Sequence, residues 1–92
     1  MPLLSQQEIE QRLAGSDWSR DGEAIVRECK LTDFAAAIAF VDRVAELAER
    51  ANHHPDILVH GWNRVRLTLS THSAGGLTEA DFSLASEIDR LA

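Results

Sequence analysis

The sequence has one cysteine, Cys29, so an internal disulfide is excluded and nothing points to an oxidising compartment. It has no basic excess. Nine Lys and Arg stand against fifteen Asp and Glu, a formal net charge of −6, and the basic residues do not cluster along the chain. Direct nucleic-acid binding needs a cationic footprint, and an anionic membrane disfavours an acidic surface, so the sequence speaks against both partners. No stretch approaches the ~20 apolar residues of a membrane span. The opening residues Met1-Pro2-Leu3-Leu4-Ser5-Gln6-Gln7-Glu8 lack a basic start and a long apolar run, so they do not read as a secretory signal. Linkers, low-complexity segments and internal repeats are also missing. The expectation is a cytoplasmic protein.

What is present fits one domain over residues 1–92. Hydrophobic residues make up 45%, ordinary for a globular domain. A domain this small buries only roughly 60–65% of the surface its unfolded chain exposes, so its core is thin and oligomerisation would help it.

The elements follow from local signals. Ser5 and Glu8 form a capping box, with Leu4 and Ile9 as a hydrophobic staple, and predict a helix from Gln6 to Leu13 that Gly15 ends. Trp18–Ser19 and Ala24–Leu31 read as two strands of a hairpin turning across Arg20-Asp21-Gly22-Glu23. Ile25, Cys29 and Leu31 share a face that Arg27 interrupts. Thr32 is placed to cap a helix from Asp33 to Ala51. Its apolar residues Phe34, Ile38, Phe40, Val41, Val44, Leu47 and Ala48 cover an arc of roughly 180°, wider than the ~100° one sheet face requires. Such a helix either lies deep in the core or meets a second subunit.

Pro55 forces the preceding residue out of helical geometry. Ile57–His60 then reads as a strand, Gly61 as a turn, and Asn63–Ser70 as a strand with Val65, Leu67 and Leu69 on one face. After the loop Ser73–Gly76, Thr78 and Asp81 form a second capping box, with Ala85, Ile88 and Leu91 lining the last helix. The order α-β-β-α-β-β-α predicts an α+β fold, a four-stranded antiparallel sheet with helices on one face.

Four histidines fall between the middle helix and the last: His53 and His54 at a helix exit, His60 beside a turn, His72 at a strand exit. Ends of elements that converge on one sheet edge are where sites are built, and paired imidazoles serve as general acid and base near neutral pH. The plainer alternative for each is a surface or capping residue, and His60 stays there. A zinc site from His53, His54, His72 and Asp56 matches no ligand spacing, and no HxxxH pair exists. No metal and no cofactor is expected.

Glu49, His53-His54-Pro55, Trp62, His72 and Asp81, in this spacing, resemble the signature of the pterin-4a-carbinolamine dehydratase family. Leu67-Thr68-Leu69-Ser70-Thr71-His72, Gly76-Leu77-Thr78-Glu79 and Leu84-Ala85-Ser86 extend the likeness, and Asp17-Trp18 and the long helix carry it more weakly. Ile57 stands where many members have an aromatic, and the Pro55-to-Trp62 segment is the longer of the family's lengths. Both departures concern the pocket wall.

The resemblance implies a lyase that removes water from 4a-hydroxytetrahydrobiopterin to give quinonoid dihydropterin, in tetrahydrobiopterin recycling for aromatic amino-acid hydroxylases. His53 and His72 match the acid–base pair, and His54 a substrate-holding histidine that assists. Glu49 lies one helical turn before His53, placed to orient a histidine or simply to be solvated. Asp81 either completes the capping box or faces the pocket. Pro55 belongs to the substrate-contacting group, and the amides of Thr71 and Ser73 are placed to bind the pterin's amide edge. Trp18 either stacks on the ring or fills the core. The family also implies a homodimer or homotetramer. The competing functions are a protein-interaction module, the dimerisation cofactor of a transcription factor, and a dehydratase of another pterin in molybdopterin metabolism.

Overall fold

A computed structural model describes residues 2–92. The element order is α1 (Gln6–Leu13), β1 (Ser19–Asp21), β2 (Ala24–Lys30), α2 (Phe34–Ala51), β3 (Asp56–His60), β4 (Arg64–Leu69), a 3₁₀ turn (His72–Ala74) and α3 (Glu79–Asp89). The strands form one antiparallel sheet in the order β1-β2-β4-β3. The expected α+β fold and its element order are what the structure has.

The register sorts the sheet into two faces. Ile25 pairs with Leu69 and Cys29 with Val65, all buried, and they join Ile9, Phe40, Val44, Leu84 and Ile88 in one core beneath the helices. The opposite face carries Glu28, Lys30, Arg64, Arg66, Asp56 and Leu58, all exposed. Alternation along β4 is therefore as the sequence requires, with Val65, Leu67 and Leu69 fully buried.

Several boundaries differ from expectation. The first hairpin turns on Gly22-Glu23 alone, because Asp21 still pairs with Ala24 and Gly22 takes φ +61°, the left-handed geometry a two-residue turn demands. Trp18 precedes β1 rather than opening it. Leu31 lies just beyond β2. The cap of α2 is Asp33, not Thr32: its carboxylate accepts the Ala36 N–H at 2.7 Å. The loop expected after Ser73 begins as a 3₁₀ turn at His72.

Arg27 interrupts the inner face with its terminal nitrogens paired, while its buried Nε meets no acceptor among the described residues. Its guanidinium bonds to Asp89 at the end of α3 and lies 3.5 Å from Asp17, while the Trp18 indole N–H donates to Asp89 at 2.8 Å. Of the wide arc on α2, only Ala37, Phe40, Val44 and Ala48 are buried. Val41 and Leu47 are half-buried, and Phe34 and Ile38 remain 54% and 39% exposed. Among the described residues no helix is long and apolar enough to cross a membrane.

Candidate functional site

The site begins where α2 ends. Asn52 adopts the left-handed conformation (φ 49°, ψ 43°), which asparagine tolerates better than most residues, and the His53 N–H closes back on the Ala48 carbonyl at 3.1 Å. The reversal therefore precedes Pro55, which holds His54 extended ahead of β3. The two adjacent imidazoles go separate ways.

His53 turns inward and is only 14% exposed. Its Nε2 lies 2.6 Å from Oδ1 of Asp81, a carboxylate with no exposed surface. The other oxygen, Oδ2, accepts the Thr78 N–H at 2.8 Å and the Thr71 hydroxyl at 2.9 Å. Thr71 spends its proton on Asp81, so the 2.8 Å contact between the two threonine hydroxyls is donated by Thr78. One carboxylate thus closes the α3 capping box and grips His53, and the two roles expected as alternatives coexist. With Nε2–H donating to Asp81, Nδ1 is left as the atom that accepts a proton.

His54 turns outward, and its Nε2 meets Glu49. Glu49, one helical turn before His53, was placed to orient a histidine or to be solvated, and the histidine it meets is His54. The reversal at Asn52 carries His54 back over the last turn of α2.

His54 and His72 line one cleft of about 270 Å³ at the end of the open sheet face, together with Glu23, Ala24, Asp56, Thr68 and Ser70. His53 is not on its wall, but Thr71, which bonds to Asp81, directly precedes His72. Asp56 was weighed only as a metal ligand, and Thr68 and Ser70 were not expected as site residues. Their signal was the strand alternation itself, which puts Thr68 and Ser70 on the face opposite Leu67 and Leu69.

The other expected contacts are placed elsewhere. Trp18 is a core residue, 4% exposed on the helix side of the sheet, because its indole N–H is satisfied by Asp89 there. The Thr71 N–H is taken by the Gly76 carbonyl at 2.9 Å and offers nothing to a ligand. Ser73 is exposed and Pro55 half-buried, both beside the cleft rather than on its wall. His60 and Trp62 lie at the far ends of β3 and β4, with the His60 Nε2 2.7 Å from Glu28. Among the described residues no three His, Cys, Asp or Glu side chains gather to hold a metal ion.

Residues 2–91 match the family described as pterin 4 alpha carbinolamine dehydratase. A protein of Chloroflexus aurantiacus, provisionally named a pterin-4-alpha-carbinolamine dehydratase, is 58% identical over 99% of this chain and 98% of its own. The crystal structure of a transcriptional coactivator/pterin dehydratase from Brucella melitensis superposes with a TM-score of 0.92 at 35% identity, over 99% of both chains. A pterin dehydratase-like protein identified as a RuBisCO assembly factor in the alpha-carboxysome aligns over 83% of this chain and 89% of its own, at 29% identity and a TM-score of 0.69. The histidine-bearing α+β fold and the match over nearly the whole sequence agree, and the chain belongs to the pterin 4 alpha carbinolamine dehydratase family.

Proposed function

We propose that the cleft dehydrates a 4a-hydroxytetrahydropterin, of which 4a-hydroxytetrahydrobiopterin is the reference substrate. The C4a–OH leaves as water on receiving a proton, N5 loses its proton, and a C4a=N5 double bond forms. Both transfers suit imidazoles, which titrate near the working pH. The observation that carries the reading is the pairing of His53 with the buried Asp81, linked through Thr71 to the turn that presents His72. A base oriented by a third group is the recurrent arrangement of acid–base sites. His72 on the cleft wall and His53, still 14% exposed and directly before the wall residue His54, divide the two proton transfers as a coupled pair. His54, on the cleft wall and held by Glu49, positions the ring.

The same reading places the protein in the cytoplasm as a homodimer or homotetramer, supported by the exposed Phe34 and Ile38 on α2. That face also favours a second reading, a protein-interaction module like the coactivator and assembly-factor neighbours. Purified protein alone decides between them. It should accelerate dehydration of 4a-hydroxytetrahydrobiopterin in the presence of a strong chelator. Absence of turnover, or activity lost to EDTA and restored by zinc, refutes the dehydratase reading as stated.

A further inference from the structure

The open sheet face has a second concavity, about 450 Å³, lined by Glu28, Cys29, Lys30, His60, Arg64 and Arg66. On an acidic chain this is a concentration of cations. The register sets Lys30 directly opposite Arg64, two like charges side by side across β2 and β4, with His60 next in the row on β3. Like charges directly opposite each other destabilise a sheet. The single acidic neighbour does not relieve them, because Glu28 is occupied by Arg66 Nε at 2.9 Å and by His60. Neither Lys30 nor Arg64 has an ion pair among the described residues. Such a row is favourable when an anion lies over it.

The groove adjoins the histidine cleft. Thr68 lines the cleft, and Arg66 and Arg64 are the next two outward positions on β4, about 7 and 13 Å away along the strand. A bicyclic ring with a short side chain covers that span. Orientation follows from charge. The donors of a pterin, N3–H and the 2-amino group, lie at the end of the bicycle away from C6. Glu23 and Asp56 at the cleft suit those donors and repel an anionic tail, which turns C6 toward the cations.

We infer that this chain's substrate is a pterin whose C6 side chain is negatively charged, with the ring in the histidine cleft and the charge over Lys30 and Arg64. The inference rests on the dehydratase reading of the cleft and narrows its substrate class.

Titration calorimetry on the purified protein tests it with 7,8-dihydroneopterin and its 3′-phosphate ester, which differ only in the anionic phosphoryl group on the tail. At low salt the ester should bind about tenfold tighter, the scale of two or three exposed charge contacts, and the advantage should shrink as salt is raised. The double variant Lys30→Gln/Arg64→Gln should lose the advantage and still bind the neutral pterin. If the double variant does not fold, each single substitution should remove part of the advantage. Equal binding of the two ligands overturns the inference, as does an ester advantage intact in the folded variants. Inorganic phosphate binding as tightly as the ester also overturns it, since that marks a separate phosphate site. Failure of the dehydratase reading shows differently: the neutral pterin then does not bind, and 4a-hydroxytetrahydroneopterin does not lose water faster in the presence of the protein.

Discussion

At the scale of single residues, the arrangement turns on Asp81. Its two oxygens meet three groups from three parts of the chain: His53, Thr71 and Thr78. Asp81→Ala should destabilise the protein by about 2–3 kcal/mol in denaturant titration, since it strands buried donors and opens a capping box. Asp81→Asn keeps an acceptor for the cap but presents an amide that can turn its NH₂ to His53. Turnover should fall about 10- to 100-fold with KM little changed, which a purely structural role would not produce. His53→Ala and His72→Ala should each lower kcat by about 10²-fold, with His60→Ala nearly silent. A His60→Ala variant as inactive as the others would show that the cleft is misassigned. For His54→Ala the expected signature in steady-state kinetics is a raised KM with a smaller change in kcat. The divergence of His53 and His54 underlies that difference, because one ring is held by a buried carboxylate and the other stands exposed on the cleft wall.

At the scale of elements, the sheet is tied by charge on its open face. Glu28 on β2 bonds to Arg66 on β4 and His60 on β3. Burial pushes its carboxyl up, but the hydrogen bonds from Arg66 and His60 outweigh burial and hold it below its ordinary 4.5. A carboxyl depressed on folding contributes stability that is present above its unfolded pKa and lost as pH falls through the lower folded value. The Tm difference between the native sequence and Glu28→Gln should therefore persist at neutral pH, begin to shrink as the pH falls through the ordinary 4.5, and vanish only below the depressed folded value. A difference independent of pH would mean that packing, not charge, connects these strands. The helices depend instead on their ends. Asp33→Ala removes the acceptor at the start of α2 and should cost about 1 kcal/mol in thermal or denaturant unfolding.

At the scale of the whole molecule, the apolar arc of α2 is only partly used. Ala37, Phe40, Val44 and Ala48 face the sheet and α3, and Phe34 and Ile38 do not. A chain of 92 residues gains from covering such a face with another copy. Light scattering at micromolar concentration should give the mass of a dimer or tetramer, and Phe34→Asp with Ile38→Asp should lower it. A monomeric mass for the native sequence would refute the oligomer. The two faces of the sheet differ in character: the helix side holds the core and the exposed Phe34 and Ile38 on which the proposed oligomer rests, and the open side presents the cleft and the cationic groove.

The element order, both capping boxes, the β4 alternation and the placing of histidines at element ends were legible in the sequence because each depends on residues a few positions apart. Capping needs three residues' separation, and strand burial needs only the two-residue period. The partners of those histidines were not legible. Which carboxylate reaches His53 depends on how α3 docks against the end of α2, and that is set by burial of Phe82, Leu84 and Ile88, which lie far along the chain from His53. Trp18 moved from possible ring-stacker to core for the same reason, since its indole partner Asp89 arrives only with the docked α3. The basic residues are scattered in sequence and read there as an absence of any footprint. Arg64 and Arg66 share a face by the two-residue period, but only strand register brings Lys30 beside them, because antiparallel pairing sets residues dozens of positions apart side by side.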